Sequence, residues 1–139
     1  LDIAVQFGQP EIVTLLFDTG ADLDGDYGIV SFNPLHEVIH ASTQPDWPVP
    51  EAQFLFAPRQ HEDRYAAVIA VLLARGVDVN AVDPARATAL HRAASTDRAL
   101  IARVLLQHGA RQDLRDAQGR TPRDAARQAG SRRVLPLLP

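Results

Sequence analysis

The sequence of 139 residues contains no cysteine, no methionine and no lysine. Without cysteine, disulfide bridges and thiolate metal sites are excluded, and the redox compartment stays open. Hydrophobic residues make up 46% of the chain, yet no apolar run reaches the length of a membrane span. The sequence starts at Leu1, so we expect the native N-terminus and any targeting signal further upstream. We therefore expect one globular domain, with a cytoplasmic location favoured.

Acidic and basic residues are unevenly distributed, although the formal net charge is only −3. Residues 1–63 contain eleven acidic residues against one arginine, whereas residues 64–139 contain thirteen arginines against six aspartates. Such a division can steer a partner that carries the matching charge pattern. The arginines are scattered and do not form one stripe interleaved with aromatic residues, so neither nucleic acid nor membrane is an expected partner.

Three stretches of similar sequence recur, each with the pattern of a short amphipathic helix, a Leu-Leu pair and a final glycine. They read IVTLLFDTGADLD (12–24), AVIAVLLARGVDVN (67–80) and ARVLLQHGARQD (102–113). Each is followed by a second helix start, which reads NPLHEV (33–38), TALHRAA (88–94) or TPRDAA (121–126). The spacing from Gly76 to Gly109 equals the spacing from Leu90 to Arg123. A spacing that recurs in this way indicates stacked structural repeats.

These stretches resemble the ankyrin repeat, whose signature is T-P-L-H-x-A with a period of about 33 residues. The resemblance implies an all-α solenoid of about four helix-turn-helix repeats with finger loops, in a single domain spanning 1–139. The repeats are expected at about 1–24, 25–80, 81–113 and 114–139. Thr88 and Thr121 are predicted helix N-caps, and Pro136 is predicted to shorten the last helix.

The second repeat contains the sequence HEVIH from His36 to His40, the spacing by which one class of zinc peptidases is recognised. The ankyrin resemblance explains His36 as the repeat's own histidine, which hydrogen-bonds within and between turns, and His91 occupies the same position. The alternative is a zinc-dependent metallopeptidase with Glu37 as base and Glu62 as third ligand. Because the resemblance accounts for the motif, we expect no metal, no cofactor and no catalytic residue.

Residues 22–33, DLDGDYGIVSFN, partly agree with a calcium-binding loop. Tyr27 stands where the sharp turn needs glycine, and Asn33 stands where a bidentate glutamate is required. The structural alternative is a finger loop exposed to solvent.

Repeat 2 is interrupted by an insertion at about residues 43–64, because Leu35 and Leu90 occupy the same position of the repeat but are separated by much more than one period. The insertion contains four prolines and the aromatic residues Trp47, Phe54 and Phe56. Insertions in repeat proteins often carry the binding role, and exposed aromatic residues are costly. The sequence leaves open whether these residues pack on the repeats or contact a partner.

The resemblance implies a non-enzymatic module that binds another protein through its concave face and finger loops. The expected partner-binding residues are Tyr27, Ile29, Phe32, Glu37, His40, Trp47, Phe54, Phe56, Arg92, Ser95 and Thr96. Tyrosine and arginine are enriched at interface hot spots, which favours Tyr27 and Arg92. We expect a monomer or a part of a longer chain, with a partner whose identity the sequence does not give.

Overall fold

The computed structural model describes residues 8–20, 34–43 and 62–139. These residues form six α-helices and one short 3-10 helix, Leu135–Leu137. The α-helices are α1 (Pro10–Asp18), α2 (Pro34–Thr43), α3 (Glu62–Ala74), α4 (Ala89–Ser95), α5 (Ala99–Gln107) and α6 (Pro122–Ala129). Within the same ranges the extended pairing is one isolated bridge, between Val82 and Thr88. The predicted all-α fold is confirmed.

The helices pack in two layers. The first layer contains α2, α4 and α6, in which α4 lies between the other two. The second layer contains α1, α3 and α5, in which α3 lies between α1 and α5, and the 3-10 helix extends this layer beyond α5. Helices α2 and α3 pack across the layers, as do α4 and α5. The arrangement is a stack of helix pairs, each in contact with its neighbours.

Helices α4 and α6 begin at the predicted N-caps. The Thr88 hydroxyl accepts a hydrogen bond from the His91 amide, and the Thr121 hydroxyl accepts one from the Asp124 amide. In both helices the third residue bonds back to the amide of the cap residue, which completes a capping box. Backbone amides that a helix start leaves unsatisfied are thus paired locally, as the sequence predicts.

The second-layer helices end at glycines in the left-handed region, with φ of +92° at Gly76 and +85° at Gly109. Glycine adopts this conformation without the steric cost that a Cβ imposes. The last repeat differs, because Pro136 lies in the 3-10 helix where the other repeats have an α-helix. The predicted shortening at Pro136 is confirmed.

Helix α3 starts earlier than its counterpart α5. Counted back from Gly76 and Gly109, the first residue of α5, Ala99, corresponds to Ala66, whereas α3 begins at Glu62. The additional first turn therefore consists of residues 62–65, and the first three of these fall within the predicted insertion. Glu62 is buried in this turn, so the additional turn places an acidic residue in the interior of the stack.

Candidate partner-binding surface

Six of the eleven predicted partner contacts lie outside the described residues. These are Tyr27, Ile29, Phe32, Trp47, Phe54 and Phe56. Glu37 belongs to helix α2, but its side chain is likewise outside the described part of the structure. The calcium-like segment 22–33 is also outside it. Within the described residues, the candidate surface therefore consists of the first-layer helices and of the two fingers that precede α4 and α6, residues 77–87 and 110–120.

The four described candidates are exposed and belong to the first layer or its edge. His40 lies near the end of α2, whereas Arg92, Ser95 and Thr96 lie together on α4 and its C-cap. The Ser95 and Thr96 hydroxyls both donate to the Arg92 carbonyl, at 3.1 Å and 2.8 Å. Their oxygen atoms are therefore held in place at the end of the helix, and each keeps acceptor capacity for a partner.

Arg92 is fixed by the finger that precedes its helix. Its Nε and Nη2 atoms both donate to Oδ2 of Asp83, at 3.0 Å and 2.6 Å. The other oxygen of Asp83 accepts from the Ala87 amide at 2.9 Å. Burial alone would raise the pKa of Asp83, but the hydrogen bonds from Arg92 and Ala87 outweigh it and the pKa is lowered. The Arg92 side chain remains 51% exposed, so an oriented guanidinium faces solvent.

The next finger also contains an aspartate that accepts hydrogen bonds from backbone amides and from an arginine, and this aspartate is more deeply buried than Asp83. Asp116, one repeat period after Asp83, accepts from the amides of Gln118 and Arg120 at 2.9 Å and 3.0 Å. Its second oxygen accepts from Nε and Nη2 of Arg120 at 2.9 Å and 2.7 Å. The two fingers are also joined directly, because the Ala117 amide donates to the Ala85 carbonyl at 2.9 Å. Hydrogen bonds within and between the fingers thus hold the residues at this edge of the surface in place.

The histidines that the repeat pattern predicts as structural form bonds between successive repeats. His91 Nε2 donates to the Arg120 carbonyl at 2.9 Å, and its Nδ1 accepts from the Thr88 amide at 3.2 Å. His36 Nε2 donates to the Ala87 carbonyl at 2.8 Å. Burial lowers the pKa of His36, which keeps its ring neutral. Because Nε2 carries the proton of this hydrogen bond, it is not available as a metal ligand.

The third proposed zinc ligand is also engaged elsewhere. Glu62 Oε1 accepts from the Leu100 amide at 2.8 Å, and Oε2 accepts from Nη2 of Arg133 at 3.1 Å. In the described part of the chain, no group of three or more metal-binding side chains lies together. Nothing in these contacts supports the metallopeptidase alternative, and the described part of the HEVIH motif has a structural explanation.

Several residues that shape the surface were not among the predicted site residues. Asp83 and Asp116 orient the exposed arginines, and their spacing of one repeat period could have identified them. Glu62 could not have been found in this way, because the corresponding position one repeat period later is Ser95, which is not acidic.

A family model described as ankyrin repeats, in three copies, matches residues 60–138, more than half of the sequence. The chain belongs to the ankyrin-repeat family. Ankyrin repeats are generally protein-protein interaction modules and typically not enzymes, in agreement with the helix pairs and fingers described above. None of the helices in the described ranges is long and apolar enough to cross a bilayer.

Curated proteins with similar ankyrin sequence belong to different functional classes. The chain is 42% identical over 74 residues to the E3 ubiquitin-protein ligase Ufd4 of Drosophila melanogaster, covering 51% of this chain and 3% of that protein. It is 43% identical over 79 residues to the neurogenic locus Notch protein of the same organism, covering 56% and 3%. It is 41% identical over 70 residues to the potassium channel AKT3 of Oryza sativa subsp. japonica, covering 50% and 8%. The chain thus matches a small part of each of these relatives.

Proposed function

We propose that the chain binds a protein partner through the first layer and the finger loops, which together form the concave face of the ankyrin stack. The observation that carries this proposal is the oriented cluster of Arg92, Ser95 and Thr96. A side chain that is already fixed loses less conformational entropy on binding, so its contacts contribute more to affinity. Arginine is also among the residue types enriched at hot spots.

The chemistry of this cluster favours a partner segment that offers both hydrogen-bond acceptors and amide donors. The exposed guanidinium can donate to carboxylate or carbonyl oxygens, and the two hydroxyl oxygens can accept from amides. Asp83 neutralises part of the charge of Arg92, so hydrogen-bond geometry and not net charge is expected to dominate at this point. Tyr27, Ile29, Phe32, Glu37 and His40 belong to the same proposed surface.

Site-specific crosslinking tests the location of the surface. A photoreactive amino acid is placed at Thr96 in the first layer, or at Arg103 or Gln107 on α5, which are exposed in the second layer. We expect one crosslinked protein from the Thr96 position and none from α5. Arg92→Ala in the Thr96 probe should abolish the crosslink, while the matched change Arg103→Ala should leave it intact. Equal crosslinking from both layers would contradict the proposal.

The aromatic insertion is proposed as an additional contact of the same surface, through Trp47, Phe54 and Phe56. Aromatic side chains contribute large apolar area at low entropic cost, which suits a loop that meets a partner. The same crosslinker at Trp47 tests this part. A crosslink to the protein captured from Thr96 supports it, and no crosslink restricts the surface to the fingers and the first layer.

A further inference from the structure

One apolar position recurs eight residues before the glycine that ends each second-layer helix. In α3 it is Val68, before Gly76, and in α5 it is Ile101, before Gly109. Both side chains are completely buried. In the last repeat the same position, one repeat period after Ile101, is Val134, which is also completely buried. In α1 the position is Ile12, before Gly20, and it is 44% exposed.

The difference shows which side of the stack this position faces. Val134 is buried although the 3-10 helix is the last element of the described chain. Its amide donates to Oδ1 of Asp97 at 3.1 Å, and the 3-10 helix packs on α5 as well as on α6, so residues of the preceding repeat contribute to its cover. Ile12 is exposed although α3 packs against α1 from the following repeat. The position therefore points towards the repeat that comes before it. Among the described residues, no repeat precedes the helix that contains Ile12.

A second position on the same helix behaves alike. Leu15 lies five residues before Gly20, as Val71 and Val104 lie five residues before their glycines. Val71 and Val104 are partly buried against the core, whereas Leu15 is 61% exposed. We call Ile12 and Leu15 the N-terminal face. Two large apolar side chains that lie one turn apart on a helix form a continuous surface.

The opposite end of the stack is closed by charge. Leu90 and Ala94 in α4 are completely buried. One period later, α6 carries Arg123 and Arg127 at these positions, and both are exposed. Arginines here make the end polar, as a terminal repeat of a solenoid requires. The surface of α6 at this end is thus polar, whereas the N-terminal face keeps apolar residues like those of an internal repeat.

We propose that the N-terminal face receives the second-layer helix of a further ankyrin repeat, so that the stack extends beyond α1 on its N-terminal side. The face continues an interface that this chain already makes at Val68, Ile101 and Val134, and it has the same apolar chemistry. If a second copy of the chain stacked head to tail, its C-terminal end would place its Arg123 and Arg127 against the N-terminal end of the stack. Burying charges without partners is unfavourable, so a second copy stacked head to tail is disfavoured.

The test compares the original chain with an extended chain. In the extended chain a duplicate of residues 81–122 precedes Leu1, which supplies one complete repeat and the finger that leads into the first helix pair. Ile12→Glu is introduced into both chains. Ala74→Glu is the matched control, because Ala74 is an exposed second-layer residue whose counterparts, Asp18 and Gln107, are polar.

We expect the added repeat to slow amide hydrogen exchange in α1. We also expect Ile12→Glu to lower the unfolding midpoint of the extended chain by on the order of 5–10 °C, and that of the original chain by about 2 °C or less. Ala74→Glu should have the same small effect in both. An equal effect of Ile12→Glu in the two chains, or unchanged exchange in α1, would overturn the proposal. So would sedimentation showing that the original chain is a dimer that Ile12→Glu dissociates, because a second copy would then occupy the face.

Discussion

The Glu62 carboxylate accepts a hydrogen bond from the backbone amide of Leu100, with 2.8 Å between Oε1 and the amide nitrogen. The amide belongs to the first turn of α5, which has no side-chain cap of its own. The second oxygen of Glu62, Oε2, accepts a hydrogen bond from Nη2 of Arg133, with 3.1 Å between the two atoms. One buried side chain therefore connects α3 with α5 and with the segment that precedes the 3-10 helix.

Replacing the buried Glu62 with alanine is expected to lower the free energy of unfolding by about 1–3 kcal/mol, because the Leu100 amide and the Arg133 guanidinium lose their acceptor. Glu62→Gln keeps an acceptor oxygen for Leu100 and should cost less. Urea denaturation measures both. The neighbouring exposed residue Asp63 provides the control, and a loss in Asp63→Ala equal to that in Glu62→Ala would contradict the assignment.

His36 is expected to make stability depend on pH. Its pKa is lowered from 6.5 because burial disfavours the imidazolium, which outweighs the Ala87 hydrogen bond and the nearby Asp83. A histidine with a lowered folded-state pKa contributes stability that is present above 6.5 and is lost as the pH falls through its folded-state pKa. The free energy of unfolding should therefore decrease from pH 7.5 towards pH 5.

The variant His36→Gln separates this titration from other groups. A glutamine amide can still donate to the Ala87 carbonyl but does not titrate. We expect a smaller decrease in unfolding free energy between pH 7.5 and pH 5 in the variant than in the wild type. The hypothesis fails if the two proteins show the same pH dependence.

A side chain at Gly8 is expected to destabilise the folded chain. Its φ is +58°, and a Cβ there would lie 3.2 Å from Cε1 of Tyr65, which is buried in α3. Gly8→Ala should lower the free energy of unfolding by about 1–3 kcal/mol, since backbone strain and a tight contact add together.

Gly119 is the matched control for this substitution. Its φ is +76°, but a Cβ there would meet no atom within 4 Å. Gly119→Ala should therefore show the cost of the conformation alone, about 1 kcal/mol. Equal losses at the two glycines, measured by urea denaturation, would mean that the Tyr65 contact does not contribute.

Asp116 is expected to stabilise the finger that precedes α6. It accepts bonds from the backbone amides of Gln118 and Arg120 and from the Arg120 guanidinium. Asp116→Ala should lower the free energy of unfolding by about 1–3 kcal/mol. Asp113→Ala, in which an exposed pair with Arg111 is lost, should produce no measurable change.

The same hydrogen bonds predict how the stability contributed by Asp116 depends on pH in the acid range. Burial alone would raise the pKa of Asp116, but the hydrogen bonds from Arg120 and Gln118 outweigh it and lower the pKa from 3.8. Its contribution is therefore present above pH 3.8 and is lost as the pH falls through the lowered value. Asp116→Ala should remove part of the acid sensitivity of the wild type. An unchanged acid transition would show that Asp116 is not one of the groups responsible.

The sequence was sufficient for the elements that depend on neighbouring residues. Thr88 and Thr121 cap helices through amides three residues away, and Gly76 and Gly109 end helices through their own backbone freedom. Because such signals are local and recur with the period of the repeat, they determined the repeat and, through the resemblance to ankyrin repeats, the fold class and the structural role of His36.

The tertiary structure was needed wherever residues from different repeats meet. Glu62 and Arg133 are 71 residues apart in sequence, and no local pattern pairs them. Ile12, Val68, Ile101 and Val134 occupy one position of the repeat, and three of them are buried while Ile12 is exposed. Burial depends on whether a neighbouring repeat is present, which is a property of the stack and not of the residue type. For this reason the sequence determined the repeats, and their packing decided which surfaces remain open.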